Sequence, residues 1–221
     1  MKVYLFFIVS FLTLNVFCQY ENTSFFFGKE NLDSIKSFEG FDDKIQGYYD
    51  QESVKYKQMI LTKDSISVRF GSEIIISKKE ALAKGYTFKD QKMYGIAPLN
   101  GVYYQEFNDT ILALYYQYDN YFSSNIEDFV LTLKEGYLLF FQESNGFYSV
   151  EYLQVKDKKM EIYSMDHTLM MDTLLKLSSI YKEEKNGITT YVASPSEEEL
   201  TRLVETECFN QLRDYKLNKD L

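Results

Sequence analysis

Short apolar runs separated by brief polar segments make up most of the chain from position 45 onward. The runs are five to nine residues long and are rich in β-branched and aromatic residues. Runs of that length and content, bounded by turn-forming residues, predict β-strands. In "SISVRF" (65–70), Ile66, Val68 and Phe70 alternate with polar residues, so this strand is predicted to bury one face and expose the other.

The connections between several successive runs are short. "KEG", "ESNG" and "KDK" are of hairpin length, and connections of that length join antiparallel strands. We therefore predict an all-β fold, a mainly antiparallel barrel or sandwich of about 9–11 strands, with a C-terminal α-helix. One or two helical turns are predicted at 78–85, ended by Gly85. The predicted strands are 45–49, 56–62, 65–70, 73–77, 92–96, 102–107, 111–118, 129–133, 137–142, 147–155 and 159–164.

A helix start signal lies near the C-terminus, in "ASPSEEELTRLVETECF". Ser194 is predicted to cap the helix, Pro195 to take its first position and Glu197 to complete a capping box. The helix is predicted over about 195–208. Its apolar stripe, in which the free cysteine acts as a small buried hydrophobe, should pack against an apolar surface. The stripe consists of Leu200, Leu203, Val204 and Cys208.

Two predicted strands are apolar on both faces, "ILALYY" (111–116) and "YLLFF" (137–141). A sheet with a single core leaves its other face polar, so a second apolar layer is expected here. We predict that the helix of residues 195–208 covers the outer face near these two strands. If it does not, that face is a partner surface.

The first 18 residues have the layout of a secretory signal peptide. Lys2 precedes an uncharged, mostly apolar stretch of sixteen residues that ends at Cys18. A membrane-spanning helix needs roughly 20 apolar residues, so cleavage of the signal is favoured. Retention of the segment as a membrane anchor stays an alternative. After cleavage the chain would have no transmembrane segment, and we expect a secreted, periplasmic or cell-envelope protein.

Cys18 raises the alternative of a lipid-modified bacterial lipoprotein. That processing pattern has an aliphatic residue three positions before the cysteine and a small one directly before it. The chain has Asn15 and Phe17 at those positions, so lipoprotein processing is disfavoured. With Val16 and Cys18 as the residues at minus three and minus one, cleavage is predicted after Cys18.

The rest of the chain is predicted to form one domain. Residues 19–44 are polar with scattered aromatics and are predicted to be a loosely ordered lead-in. Residues 45–221 are predicted to form a single β-rich domain that ends in the helix. The chain has only two prolines and ten glycines, and no Pro, Gly or Ser-rich tract marks a linker.

The charge of the chain excludes some classes of partner, and its cysteine content indicates what stabilises the fold. The net charge is −9 at pH 7, and an acidic chain does not attract nucleic acid or anionic membrane surfaces. Removal of residues 1–18 would leave Cys208 as the only cysteine, so no internal disulfide is predicted. Stability is then expected from an aromatic core, for which the chain has 20 Tyr and 18 Phe.

The sequence contains no motif for catalysis or cofactor binding. Nothing near the single histidine, His167, suggests a nucleophile and an orienting acid, so His167 is interpreted as a loop or turn residue. One histidine and one remaining cysteine cannot supply the ligands of a structural zinc site. Phosphate-binding glycine loops and nucleophile elbows do not occur. We therefore predict no cofactor, no metal and no catalytic residue.

Tyrosines are the candidate binding residues. In "LYYQYDNYF", Tyr116 and Tyr118 share one face of a predicted strand, where they can line a ligand cleft or a sugar-stacking platform. The alternative is that they pack and hydrogen-bond at the rim of an ordinary core, since tyrosine is amphipathic. The candidate ligand-binding residues are Tyr104, Tyr116, Tyr118, Tyr137 and Tyr152.

One stretch carries a family resemblance. "IQGYYDQESVKYKQMILTKDSISVRF", with Gly47 and Tyr49 on its first strand, resembles the start of small secreted lipocalin-like β-barrel proteins. Tyr49 stands where that family has Trp. The signal-like start and the Tyr, Lys and Asn-rich body also resemble uncharacterised exported proteins of Gram-negative bacteria. The first resemblance implies a barrel that binds a ligand, and the second implies export.

These observations leave three functional hypotheses. The first is an exported non-catalytic β-rich protein that binds an apolar or amphipathic small molecule in its interior. The second is a cell-envelope protein-protein interaction module that uses its two-sided apolar strands. The third is a carboxylate-pair glycosidase, which needs only two of the 33 acidic residues.

Overall fold

The computed structural model describes residues 23–28, 38–51, 53–95, 100–124, 128–165, 167–206 and 208–218. Most of these residues are in strands, with three short helices among them, so the predicted all-β class with a C-terminal helix is confirmed. The predicted signal peptide, residues 1–18, lies outside the described residues. Among the described residues, none of the helices has the length and apolar content needed to cross a bilayer.

Fifteen strands and three helices are described. The strands are β1 (Thr23–Phe27), β2 (Gly47–Asp50), β3 (Lys57–Leu61), β4 (Ser65–Ser77), β5 (Thr87–Lys89), β6 (Lys92–Tyr94), β7 (Val102–Phe107), β8 (Thr110–Ser123), β9 (Phe129–Thr132), β10 (Tyr137–Gln142), β11 (Tyr148–Lys156), β12 (Lys159–Met165), β13 (Ile180–Lys185), β14 (Ile188–Ala193) and β15 (Phe209–Leu217). The helices are α1 (Lys78–Ala83), α2 (His167–Leu174) and α3 (Glu197–Glu205).

The strand count exceeds the predicted 9–11 because several strands lack an apolar pattern of their own. β13, "IYKEEK", is exposed along most of its length, and its charged side chains suit the outermost strand of a sheet. β1 lies in the stretch that the sequence predicts as a loosely ordered lead-in. Such strands form because their backbones pair with distant segments.

The chain forms two compact units. Unit one comprises residues 1–40 and 122–214, and unit two comprises residues 41–121 and 215–221. The stretch 45–221, predicted as a single domain, is thus divided between them. No composition shift marks the boundary between the units. Unit two is also discontinuous in sequence, because the last residues of β15 return to pair with β2, at Lys216 opposite Asp50.

Unit one is built on β13, β14, β1, β11, β12 and β15 in that spatial order, with β10 paired to β11 and β9 paired to β10. β1 runs parallel to β14, with Thr23 opposite Thr189 and Phe27 opposite Ala193. The β9–β10, β10–β11 and β11–β12 pairs are antiparallel hairpins, as predicted.

Helix α3 packs on the apolar side chains of unit one. Leu200 and Leu203 are buried in the same cluster as Leu138 and Phe140 of β10, which agrees with the prediction for the "YLLFF" strand. For "ILALYY" the prediction is wrong, because Leu112 and Leu114 are 44 % and 37 % exposed. Cys208 is buried in that cluster too, which confirms its expected burial. The cluster consists of Phe25, Phe27, Leu131, Leu138, Phe140, Tyr148, Val150, Tyr152, Met171, Leu174, Leu177, Ala193, Leu200, Leu203, Cys208 and Phe209.

The capping box of α3 lies two residues later than predicted. Ser196, and not Ser194, is the N-cap, and its hydroxyl accepts from the backbone N–H of Glu199 while the Glu199 carboxylate accepts from the Ser196 N–H. Ser194 is buried and its N–H donates to the carbonyl oxygen of Ser179, which keeps it in extended pairing. The segment does contain a capping box, as predicted, but two serines each lie three residues before a glutamate and compete for the role.

Unit two has β2, β3, β4, β8, β7, β6 and β5 in that spatial order, with antiparallel registers at β2–β3, β3–β4, β5–β6, β6–β7 and β7–β8. Ile66 and Val68 are buried and Ser65 and Ser67 are half-buried, which confirms the alternation of this strand, whereas Phe70, predicted on the buried face, is half-buried. In neither unit do the two outermost described strands pair with each other, so the sheet is not closed.

Candidate ligand-binding site

A pocket of about 580 Å³ opens on unit one. Its wall is formed by the turn between β9 and β10, by β11 and β12, by the last turns of α3 and by the start of β15. The lining residues are Leu133, Lys134, Glu135, Tyr152, Gln154, Tyr163, Thr201, Val204, Glu205 and Phe209.

Three aromatic rings form one side of the pocket. Tyr152 and Tyr163 are directly opposite each other on β11 and β12, and opposed residues on antiparallel strands share a face. Their ring centroids are 5.9 Å apart with planes at 31°. The ring of Phe209 lies 6.0 Å from that of Tyr152 at 50°. All three residues line the pocket, and Tyr163 is the most open of them, since Tyr152 and Phe209 are each only 7 % exposed.

The two phenol groups are held by hydrogen bonds to the protein. The hydroxyl of Tyr152 donates to the carbonyl oxygen of Glu135 at 3.2 Å. The hydroxyl of Tyr163 donates to Oε2 of Glu161 at 2.5 Å, and Nζ of Lys159 donates to the other oxygen of the same carboxylate at 2.7 Å. Both rings are thus fixed at their far ends.

Burial and nearby negative charge keep both phenols protonated. Desolvation raises the pKa of Tyr163 far above its ordinary value, and the hydrogen bond to Glu161 raises it further. Desolvation also raises the pKa of Tyr152, with a smaller contribution from the charge of Glu135. The hydrogen bond from Lys159, followed by that from Tyr163, lowers the pKa of Glu161. Glu161 is therefore ionised and accepts hydrogen bonds at neutral pH.

Helix α3 adds a mixed surface to the lining of the pocket. Val204 is apolar and half-buried, Thr201 is hydroxylic and Glu205 carries a carboxylate. The hydroxyl of Thr201 donates to the carbonyl oxygen of Glu197, four residues earlier, at 2.9 Å. The β9–β10 turn adds one cation, Lys134. Aromatic and apolar contacts with a few polar groups at the edge suit an amphipathic ligand.

Gly136 determines where Tyr152 sits. A Cβ atom at Gly136 would lie 2.4 Å from the carbonyl oxygen of Leu153 and 2.7 Å from Cε2 of Tyr152. The carbonyl oxygen of Gly136 accepts from the N–H of Leu133 at 2.8 Å, which closes the β9–β10 turn. Only glycine leaves room for the ring of Tyr152 against this turn.

The substitution Gly136→Ala should therefore displace Tyr152 and damage the pocket. We expect a loss of about 2 kcal/mol in the free energy of unfolding, typical of overpacking, together with weaker binding of any ligand that contacts Tyr152. Urea denaturation followed by circular dichroism measures the first effect. The control is Gly146→Ala, where the Cβ meets open space and only the backbone strain of a φ of +81° is added, at about 1 kcal/mol. Equal behaviour of the two variants would contradict the argument.

The five sequence-predicted tyrosines occupy different surroundings. Tyr152 lines the pocket. Tyr137 is half-buried on β10 with its ring edge-on to Phe38 at 6.5 Å. The remaining three belong to unit two, and their binding role stays a prediction. They are Tyr104, Tyr116 and Tyr118.

The unit-two tyrosines have local contacts of their own. The ring of Tyr104 lies 5.0 Å from that of Phe88, edge-on. The guanidinium of Arg69 lies 4.4 Å from the ring centroid of Tyr116, a cation–π contact. Tyr118 is 60 % exposed. Core packing accounts for Tyr104, Tyr116 is half-buried against Arg69, and Tyr118 is exposed.

Tyr163 and Phe209 line the pocket but are not among the binding residues predicted from the sequence. Tyr163 could have been found, because the β11–β12 hairpin turns at Asp157 and Lys158, both with positive φ, and counting outward from that turn places Tyr163 opposite Tyr152. Phe209 is the first residue of β15, a strand that has no alternating pattern, so nothing local indicates it.

The structure also describes the single histidine and the residue types that could ligate a metal. His167 is the first residue of α2, and not a loop or turn residue as predicted. Across the described parts of the chain, no group of three or more His, Cys, Asp and Glu side chains is arranged to hold a metal ion.

Comparison of the chain with protein-family models, with curated proteins and with solved structures found no match. The class of the protein is therefore defined by its own structure, an all-β chain with a ligand-sized pocket on unit one.

Proposed function

We propose that the protein is an exported, non-catalytic β-rich protein that binds an amphipathic small molecule in the pocket of unit one. The observation that carries the proposal is the cavity of about 580 Å³ with Tyr152 and Tyr163 in its wall. Pockets of roughly 300–1,000 Å³ hold small organic ligands. The apolar part of the ligand would lie on the aromatic rings, and its polar part would face the charged rim.

Two parts of the proposal are supported by the sequence alone. Export is supported by the layout of residues 1–18, and the absence of a catalytic motif supports a binding role. The resemblance of residues 45–70 to lipocalin-like proteins also implies a bound ligand, although this pocket lies between sheet strands and α3 and not inside a barrel.

Binding can be tested with N-phenylnaphthylamine, a neutral amphipathic dye that fluoresces when it enters an apolar site. We expect saturable fluorescence enhancement with the purified protein. Tyr163→Leu, which removes the aromatic ring and its hydroxyl, should weaken dye binding about tenfold, which corresponds to about 1.4 kcal/mol. Val204→Arg, which places a long charged side chain in the pocket, should abolish enhancement without emptying the core.

The matched control is Tyr103→Leu in unit two. Tyr103 is 67 % exposed on β7 and lies outside the pocket, so the same chemical change should leave dye affinity unchanged. Circular dichroism of each variant verifies folding. Failure of the wild-type protein to enhance fluorescence, or equal loss in the Tyr103 and Tyr163 variants, would refute the proposed function.

A second candidate function is a cell-envelope protein-protein interaction module. It is favoured by one face of β7 and β8 in unit two, where Phe107 and Tyr103 are 76 % and 67 % exposed and Leu112 and Leu114 are 44 % and 37 % exposed. The register places Gln105 opposite Leu112. Tyr103 and Phe107 on β7 therefore share a face of the sheet with Leu112 and Leu114 on β8. Large exposed apolar patches mark interaction surfaces.

The glycosidase hypothesis ranks third, since its only support is that two carboxylates, Glu135 and Glu205, line the pocket.

Native mass spectrometry of the protein, purified from the envelope of the cells that naturally produce it, distinguishes these candidate functions. A retained small molecule whose amount falls in Tyr163→Leu supports the first. A stoichiometric protein partner that is lost in Leu112→Lys and kept in Tyr163→Leu supports the second and contradicts the first.

A further inference from the structure

The hydroxyl groups that line the pocket have no hydrogen left for a ligand. Tyr152 and Thr201 donate to backbone carbonyl oxygens, at 3.2 Å and 2.9 Å, and Tyr163 donates to the carboxylate of Glu161 at 2.5 Å. A hydroxyl has one hydrogen and two lone pairs. Each of these groups can therefore only accept a hydrogen bond from the pocket side.

The direction of these hydrogen bonds is determined by the partners. A backbone carbonyl oxygen can only accept. The carboxylate of Glu161 also can only accept, because the hydrogen bonds from Lys159 and Tyr163 lower its pKa and keep it ionised. Neither phenol can reverse its bond without leaving its partner unsatisfied.

The charges of the lining point in the same direction. Glu135 and Glu205 contribute two carboxylates, and Lys134 contributes one ammonium group. Gln154 supplies the remaining side-chain donor. The chain as a whole has a net charge of −9, which attracts cations over longer distances. The pocket thus offers an excess of acceptors and of negative charge.

The aromatic wall is suited to the same type of ligand. The ring faces of Tyr152, Tyr163 and Phe209 carry negative electrostatic potential, and cations within about 6 Å of such a face are attracted to it. Organic ammonium groups are recognised in this way by clusters of aromatic side chains. An aromatic body on the ligand would pack on the same rings.

From this arrangement we infer that the natural ligand is an organic cation with N–H donors, of the arylalkylammonium type. Its ammonium group lies near Glu205 and the phenol oxygens, and its apolar body lies on Tyr152, Tyr163 and Phe209. This assignment of ligand class rests on the proposed function, because it concerns the same pocket.

Displacement of N-phenylnaphthylamine by three phenyl compounds tests the inference. The compounds are phenethylammonium, phenethyl alcohol and phenylpropionate, which share the aryl group and differ in charge. We expect phenethylammonium to displace the dye at about one tenth of the concentration that phenethyl alcohol needs, and phenylpropionate to be the weakest. Added salt should weaken the binding of phenethylammonium and strengthen that of phenylpropionate, because it screens the attraction of the first and the repulsion of the second, and should leave phenethyl alcohol unchanged.

A pair of variants separates charge recognition from pocket integrity. Glu205→Gln should weaken phenethylammonium about fivefold and leave phenethyl alcohol unchanged. Glu198→Gln, on the exposed first turn of α3 and outside the lining, should change neither. Equal displacement by all three compounds, or preference for phenylpropionate, would overturn the inference while the binding function stands. Absence of dye binding would overturn both.

Discussion

Replacing Phe140 by alanine should lower the free energy of unfolding by about 4 kcal/mol, the usual cost of removing a buried phenylalanine. Phe140 is completely buried in the core of unit one. Its ring stacks on that of Phe129 at 4.3 Å and 12° and meets the edge of Phe27 at 6.3 Å and 83°. The substitution removes these contacts and leaves a cavity that neighbours on three strands cannot fill. Urea denaturation followed by circular dichroism measures the change.

Phe107→Ala is the matched control for this experiment. The chemical change is identical, but Phe107 is 76 % exposed on β7, so we expect a change within about 0.5 kcal/mol. A Phe140 variant that unfolds at the same urea concentration as the Phe107 variant would show that the cluster around β10 does not form the core of unit one.

The second large effect is expected at Glu199, a carboxylate that is only 6 % exposed. Its Oε1 accepts from the N–H of Ser178 at 2.8 Å, and its Oε2 accepts from the N–H of Ser196 at 3.0 Å and from the hydroxyl of each serine. The carboxylate thus closes the capping box of α3 and ties the helix to the segment before β13. Glu199→Ala should cost about 3 kcal/mol, because it removes the capping box and the part-buried hydrogen bonds that the N–H groups of Ser178 and Ser196 donate to a charged acceptor.

The pH dependence follows from the sign of the pKa shift. The hydrogen bond from the N–H of Ser196, followed by those from Ser178, lowers the pKa of Glu199 below its ordinary value. Its contribution to stability is therefore fully present above the ordinary carboxyl pKa and is lost as the pH falls through the lowered value. The difference between wild type and Glu199→Ala should be constant near neutrality and shrink in acid.

Glu198→Ala serves as the control for Glu199. Both residues lie in the first turn of α3, but Glu198 is exposed, so its loss should change stability by no more than about 0.5 kcal/mol at any pH. Because Val204 and Glu205 line the pocket from the other end of this helix, Glu199→Ala should also weaken dye binding. A Glu199 variant with wild-type acid sensitivity would contradict the role of its carboxylate.

The pocket could be predicted from the sequence only in part. Tyr152 was identified because it belongs to an aromatic strand, and its partner Tyr163 was within reach of the same reasoning, since the hairpin turn determines their register. The sequence did not indicate a role for Phe209 or Gly136 in the pocket. Their roles depend on where β15 and the β9–β10 turn come to lie against Tyr152, and no local pattern encodes that position.

The sequence by itself determined the all-β class, the buried face of the strand at 65–70, the hairpins of β9 to β12 and the presence of a capped helix near the C-terminus. These are local properties, because alternation, turn residues and capping residues act over a few positions. Only the tertiary structure decided that Thr23–Phe27 pairs in parallel with β14, that Ser196 rather than Ser194 caps α3, and that the chain forms two units. Those outcomes depend on pairing and burial between segments far apart in the chain, where many arrangements satisfy the same local preferences and packing selects one of them.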